Sequence, residues 1–407
     1  MKPFTNYQKA VHHLIHEIPK TSRRVFDDGA ALKRNVRAME LLGNPQERHK
    51  AIHVAGTSGK GTICYLIDAL LRAHTKRTGM TQSPHVYDIR ERIQKNGQLI
   101  SEKRFVEVLN HVLQTLRSGD IQTSYFETLI AVAYCEFGRS QLDYQIIETG
   151  FGGRLDATNV INRKDKICII NRIGLDHTNV LGETLPKIAA EKAGIIQAGN
   201  TVFALRQEPE VNAVFEARCA TVSAELHWIE QTGNYQITND TMAIRVCQYL
   251  ADRDSWRFDE ALAKTTLEHV FIPGRFEKRH FKDHLAIMDG AHNPQKLAAM
   301  AHRLRREDIA PATFVLGVGA RKDIITCLKI LKPVAQRIVA TEYLTKQQDI
   351  PVTPLEKEVI AQYGQELGIE VSTANTPHEA LLAASQFPEP IVITGSFYLL
   401  GQIDSSF

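Results

Sequence analysis

The chain has 407 residues, with 49 Lys and Arg against 46 Asp and Glu, a formal net charge of +3. At roughly 150 residues per domain this length suits two domains or three, and 43% hydrophobic with 23% charged residues excludes disorder, collagen and coiled coil. So balanced a charge lacks the basic footprint of a nucleic-acid binder, and no run approaches the roughly 18 apolar residues of a membrane span. A cytoplasmic protein without nucleic-acid or membrane partners, acting as a monomer, is expected. Cys64, Cys135, Cys168, Cys219, Cys247 and Cys327 form no Cys-x-x-Cys pair and have mostly apolar neighbours, as buried, reduced thiols do.

Along the chain, apolar runs ending in Gly, Asp, Glu or Asn alternate with segments of helical spacing, the pattern of an α/β protein with a largely parallel sheet. Strands are expected at 51–54, 144–147, 167–170, 285–288, 313–318, 337–340 and 391–394. Ligands in such sheets gather at the carboxyl ends of the strands, so chemistry is sought just after each run. A helix is expected over 252–271. The sequence Pro273-Gly274-Arg275 then interrupts it before a strand starting at His284, which divides the chain into domains 1–272 and 273–407. Either part is long enough for its own core.

The first site motif follows the strand at 51–54. Gly56, Thr57, Ser58, Gly59, Lys60, Gly61 and Thr62 form a glycine-rich turn that opens a helix, because Ile63, Leu66, Ile67, Leu70 and Leu71 recur at helical spacing. Backbone N–H groups of such a turn converge on phosphate oxygens, with the positive helix end behind them. Lys60 adds a point charge for the outer phosphates, and the Thr62 hydroxyl reaches a phosphate or a magnesium ion. The Walker spacing G-x-x-x-x-G-K-[ST] is not met, since Val54 occupies the first Gly position and Gly61 that of Ser/Thr. A plain strand-to-helix turn with a solvated lysine would use similar residues; the strand before and the amphipathic helix after argue against it.

Glu148 ends the strand at 144–147 and opens a second glycine-rich turn through Gly150, Gly152 and Gly153, a place from which a carboxylate holds the magnesium that accompanies ATP. Beyond the strand at 167–170 comes Asp176-His177. Thr184 and Pro186 then begin a helix that carries Lys192 into small, weakly charged surroundings.

Taken together these motifs resemble the folylpolyglutamate synthase and dihydrofolate synthase family of the ATP-dependent Mur ligases. The words are HVAGTSGKGT at 53–62, SPH at 83–85, ERI at 91–93, ETGFGGRLD at 148–156, LDHT at 175–178, LGETL at 181–185 and EKAGII at 191–196. QITN at 236–239, PGR at 273–275, DGAHNP at 289–294, KD at 322–323 and GSFY at 395–398 continue in the family's order. The resemblance implies a P-loop central ATPase domain with a mostly parallel sheet, then a smaller Rossmann-like α/β domain, with ATP and the acid substrate meeting between them.

By matching positions, Thr62, Ser83, Glu148 and His177 would ligate magnesium, while Asn239, Arg275 and Asp289 join the phosphate loop in holding ATP. Lys192 falls where the family carries a carbamylated lysine, an ammonium turned into an anion that faces the metal. His292 and Ser396 match positions associated with the incoming glutamate, and His292 is the candidate base. The expected reaction joins L-glutamate to a folate or dihydropteroate carboxylate through an acyl phosphate. The alternatives are a Mur-type ligase acting on a non-folate acid such as a cell-wall precursor, and a nucleotide-dependent regulator without catalysis.

Overall fold

A computed structural model of the chain describes residues 3–19, 29–175, 178–345 and 353–407. Two compact units form: one takes the chain before Val86 together with Ile89–Val270, the other Val86–Asp88 together with Phe271–Phe407.

In the first unit, among the described residues, eight strands make one sheet: β1 (Lys50–Ala55), β2 (Thr78–Thr81), β3 (Gln94–Lys95), β4 (Gln98–Leu99), β5 (Tyr144–Glu148), β6 (Ile167–Ile170), β7 (Thr201–Leu205) and β8 (Glu225–Ile229). Their order is β4-β3-β2-β5-β1-β6-β7-β8, parallel from β2 to β8, with β3 and β4 adding an antiparallel edge. The helices are α1 (Tyr7–His16), α2 (Ala30–Leu41), α3 (Lys60–Ala73), α4 (Glu102–Ser118), α5 (Tyr125–Gly138), α6 (Thr178–Leu181), α7 (Leu185–Ala193), α8 (Pro209–Val222), α9 (Tyr235–Arg253) and α10 (Glu260–Glu268).

Alternation along the strands creates the layers. Ile167 and Ile169 of β6, with Ile52 and Val54 of β1, pack beneath Ile63, Leu66 and Ile67 of α3 and Met242 and Val246 of α9. Cys168 and Ile170 point the other way, toward Ile188 and Ala189 of α7 and Phe215 of α8. Helices therefore cover both faces, which is why these strands read as unbroken apolar runs.

The second unit, among its described residues, has six strands: β9 (Glu277–Phe281), β10 (His284–Asp289), β11 (Ala312–Leu316), β12 (Ala335–Ala340), β13 (Glu370–Thr373) and β14 (Ile391–Thr394). They lie in the order β13-β12-β11-β14-β10-β9, parallel except for β9. With them come α11 (Pro294–Arg306), α12 (Ile324–Leu331), α13 (Lys357–Glu366), α14 (Pro377–Ala384) and α15 (Phe397–Ile403). Ile287, Phe314 and Ile338 face the core made with α11 and α12, whereas Met288, Val315 and Val339 face α14 and α15. Within this unit the Tyr87 hydroxyl donates to Glu277 Oε2 at 2.7 Å, and the Arg279 guanidinium lies 4.7 Å from its ring.

All seven expected strands are present. The expected helix over 252–271 is present only in part: α9 ends at Arg253, Ser255 takes φ 56°, and α10, over Glu260–Glu268, starts only after Asp259 caps it by accepting from Leu262 N at 2.9 Å. Residues 254–259 are pinned elsewhere, as Trp256 Nε1 donates to the Tyr144 hydroxyl and Asp259 N to His74 Nε2. The grouping of Val86–Asp88 with the second unit was likewise not anticipated by a division at 273. All six cysteines are buried free thiols, and burial raises their pKa values, keeping them protonated. No helix among the described residues is long and apolar enough to cross a membrane.

Candidate active site

Four neighbouring parallel strands, β2, β5, β1 and β6, bring Ser83, Glu148, the glycine-rich loop at 56–62 and Asn171 to one edge of the first sheet. The loop bends at Gly56 (φ 154°) and Gly59 (φ 79°), and Gly59 precedes α3 without any side-chain cap. The first N–H groups of α3 thus have no intrahelical acceptor and no capping side chain, which is what an anion at that end requires. Thr57 ties the loop to the end of β6: its N–H donates to the Arg172 carbonyl at 2.8 Å, and Gly174 N donates to its hydroxyl at 3.1 Å.

Glu148 is 5% exposed, and its Oε2 accepts from Ser83 N at 3.0 Å. Lys60 Nζ stands 3.9 Å from Oε1, an ion-pair distance longer than a hydrogen bond. The same carboxylate lies under Gly61, where a Cβ would meet Oε2 at 3.4 Å. Thr62 follows in the first turn of α3. A carboxylate with two hydroxyl-bearing residues is a hard-oxygen donor set, which fits magnesium better than zinc. Among the described residues no three His, Cys, Asp or Glu side chains form a metal cluster; magnesium commonly takes one or two carboxylates and completes its shell with phosphates and water. His177 lies outside the described residues, as does Asp176.

The glycine turn after β5 is shaped by Asp156, which accepts from Phe151 N at 2.7 Å and Thr158 N at 3.0 Å. Burial raises the Asp156 pKa, and these hydrogen bonds oppose the rise. The turn rests directly on the last turn of α7: Arg154 N donates to the Glu191 carbonyl at 2.7 Å, and a Cβ on Gly153 would lie 3.0 Å from Lys192 Cα. Thr184 caps α7 as expected, and Lys192 is 4% exposed. Asn239, on α9, accepts from Asn171 Nδ2 at 3.2 Å, and burial pushes neighbouring Asp240 up to about 6.

In the second unit, Asp289 ends β10 and folds its own turn, accepting from Phe276 N at 2.9 Å and Ala291 N at 2.8 Å. Arg275 lies 4.6 Å from the Phe397 ring. His292 Nδ1 donates to the Gly290 carbonyl at 2.8 Å, and its Nε2 is 3.1 Å from Lys296 Nζ. Burial first, then the charges of Lys296 and Lys322, hold the His292 pKa well below the ordinary histidine value. Ser396 precedes α15, and its hydroxyl accepts from Tyr398 N at 3.1 Å.

Residues 275–405 match the family described as dihydrofolate synthetase, C-terminal domain. The chain is 30% identical over 412 residues to the dihydrofolate synthetase of Saccharomyces cerevisiae, covering 91% of this chain and 96% of that protein. The chain belongs to the folylpolyglutamate and dihydrofolate synthase family. Folylpolyglutamate synthase of Mycobacterium tuberculosis, solved with ADP, superimposes on this family member with a TM-score of 0.84 at 26% identity, covering 98% of each chain. The bifunctional folylpolyglutamate synthase/dihydrofolate synthase of Yersinia pestis, solved with AMPPNP and Mn ion, gives 0.83 at 25% identity, covering 100% of this chain and 99% of that one. As a folylpolyglutamate and dihydrofolate synthase family member, the chain is an ATP-dependent ligase, and a non-folate Mur-type activity is not favoured.

Two residues beside these sites were missed in the sequence. Asn171 stands directly after β6, where the strand-end rule already pointed. Lys296 gave a weaker signal: a lysine in a first helical turn, where the helix dipole disfavours it.

Proposed function

We propose that this ligase uses the first unit to activate a folate or dihydropteroate carboxylate with ATP and the second to present L-glutamate. The observation that supports this most directly is the Lys60 ammonium and the Glu148 carboxylate side by side under an uncapped helix end. A carboxylate is a poor electrophile, so its oxygen first attacks the γ-phosphorus and ADP leaves. The neutral α-amine of glutamate then attacks the acyl carbon of the acyl phosphate, inorganic phosphate departs with the C–O bond electrons, and the nitrogen gives up a proton to phosphate or water. Gly56, Thr57, Ser58, Gly59, Gly61 and Thr62 hold the triphosphate by main-chain and hydroxyl donors, while Lys60 stabilises charge on the transferred phosphoryl group. Asn239, Arg275 and Asp289 are the further nucleotide contacts, and His292 and Ser396 the glutamate contacts.

Thr62, Ser83, Glu148 and His177 would hold Mg2+, whose contribution when bound is to neutralise phosphate charge. Lys192 is proposed to be carbamylated: its neutral amine adds to carbon dioxide and loses a proton, which gives a carboxylate and removes a buried ammonium. A mass increment on the intact protein, together with rescue of Lys192→Ala by short carboxylic acids, tests that modification; absence of both overturns it.

The substrate reading is tested by ATP-dependent incorporation of labelled glutamate, with dihydropteroate and tetrahydrofolate supplied separately. Incorporation with at least one of them is expected. Failure with both, in protein that still binds ATP, would refute it.

A further inference from the structure

The second unit carries charged and buried polar groups that the reaction outlined above does not use. Asn293 caps α11 and leaves Lys296 in the first turn, where the helix dipole opposes an ammonium. The Lys296 ammonium donates to His292 Nε2, and the tautomer follows from chemistry: the Gly290 carbonyl only accepts, so His292 Nδ1 carries the proton. Lys322 and Arg275 add their positive charges around the same imidazole.

The Ala291 carbonyl accepts from Gly395 N at 2.9 Å, so His292 and Ser396 leave from hydrogen-bonded neighbouring backbones at the ends of β10 and β14. Tyr343, after β12, is 3% exposed; burial raises the pKa of its hydroxyl, and a hydrogen bond with the Ser396 side chain opposes the rise. The ring stacks on Tyr398 with centroids 6.0 Å apart and is admitted by Gly317, where a Cβ would lie 3.2 Å from Tyr343 Cδ1. A phenol both donates and accepts, so a hydroxyl paired with Ser396 keeps capacity for a ligand.

We propose that Lys296 and Tyr343 bind the incoming amino acid, Lys296 by charge to its second carboxylate and Tyr343 by a hydrogen bond beside Ser396. This rests on the ligase reading. The backbone carboxylate of an amino acid is balanced by its own amine, so the net negative charge of glutamate resides in the side chain, and a cationic cluster distinguishes it from the isosteric carboxamide of glutamine. His292, with Nδ1 on the Gly290 carbonyl and Nε2 accepting from Lys296, serves the glutamate through that ammonium, as a positioning residue, instead of acting as the base.

Steady-state kinetics with glutamate and glutamine on Lys296→Met, Lys296→Arg and Tyr343→Phe test this in the full chain. Lys296→Met should raise KM for glutamate on the order of tenfold or more, leave KM for ATP unchanged, and lower the glutamate-over-glutamine preference by a similar factor. Lys296→Arg should recover part of that loss. Tyr343→Phe, which removes a single oxygen atom, supplies an independent arm and should raise KM for glutamate severalfold. An unchanged KM for glutamate or an unchanged preference in Lys296→Met, or a KM for ATP rising in parallel, overturns the proposal. A wild-type enzyme without glutamate-dependent ATP turnover would instead overturn the ligase reading itself.

Discussion

Gly59→Ala probes the glycine-rich loop before α3 at its most constrained point. Gly59 has φ 79°, in the left-handed region that costs a residue with a Cβ about 1–2 kcal/mol. The added methyl would also collide with Asn171 Nδ2 and stand 3.3 Å from Asn239 Oδ1. Asn171 is short and would have to swing away, which breaks its 3.2 Å bond to Asn239, a loss of about 0.5–1.5 kcal/mol. Together these give about 1.5–3.5 kcal/mol. The assay is chemical denaturation of wild type, Gly59→Ala, Asn171→Ala and the double variant, read on the transition that added nucleotide shifts. In the Asn171→Ala background the collision is gone, so Gly59→Ala should cost only its backbone part, leaving a coupling of about 0.5–1.5 kcal/mol. Equal costs in the two backgrounds would refute the steric argument, and a total below about 0.5 kcal/mol would refute the loop geometry as well.

Three further outcomes are expected. Lys60→Ala should abolish phosphate release while the protein stays folded; normal turnover would remove the loop from the reaction. Gly153→Ala places a Cβ 2.8 Å from the Glu191 carbonyl oxygen and 3.0 Å from Lys192 Cα. Main chain cannot swing aside as a side chain does, so a stability loss of about 1–3 kcal/mol and reduced kcat are expected, and an unchanged kcat would show that the seating of Lys192 does not matter. Burial pushes the Asp254 pKa up, but hydrogen bonds from Arg253, Lys50 and Tyr144 outweigh it and hold the carboxyl down to about 2. A depressed carboxyl stabilises the fold above its unfolded value, so about 1 kcal/mol, after allowance for solvent screening, should disappear as pH falls from about 4 to about 2. Asp254→Asn should flatten that part of the stability curve; an unaltered slope would refute the assignment.

Glycines and apolar runs carried much of the first sheet's centre in plain view. Val54, Ile146 and Ile169 sit in strands buried on both faces, so their runs are continuous, and the glycine-rich turns directly follow the first two. Of the strands that escaped notice, β7 is as apolar and buried as the central ones, but others are of another kind. β9 reads Glu-Lys-Arg-His-Phe and survives as an antiparallel edge, and β13 is mostly exposed, so neither shows an apolar run. The expected helix over 252–271 holds only over Glu260–Glu268, because helical spacing is a local signal. Contacts of Trp256 with Tyr144 and of Asp259 with His74, both more than a hundred residues distant, decided the break between α9 and α10.

By itself the sequence determined the α/β class, the family, the glycine-rich turn before a helix at 56–62 and which residue types stand at strand ends, since each depends on short-range spacing and backbone chemistry. Only the tertiary structure decided which of those ends adjoin. The strand order β2-β5-β1-β6 sets Ser83, Glu148 and Lys60 along one edge, and the neighbouring ends of β10 and β14 bring His292 near Ser396, although more than a hundred residues separate that pair in the chain. Sheet order comes from the combined burial of two apolar faces, a property of the whole folded unit that no local window of sequence carries.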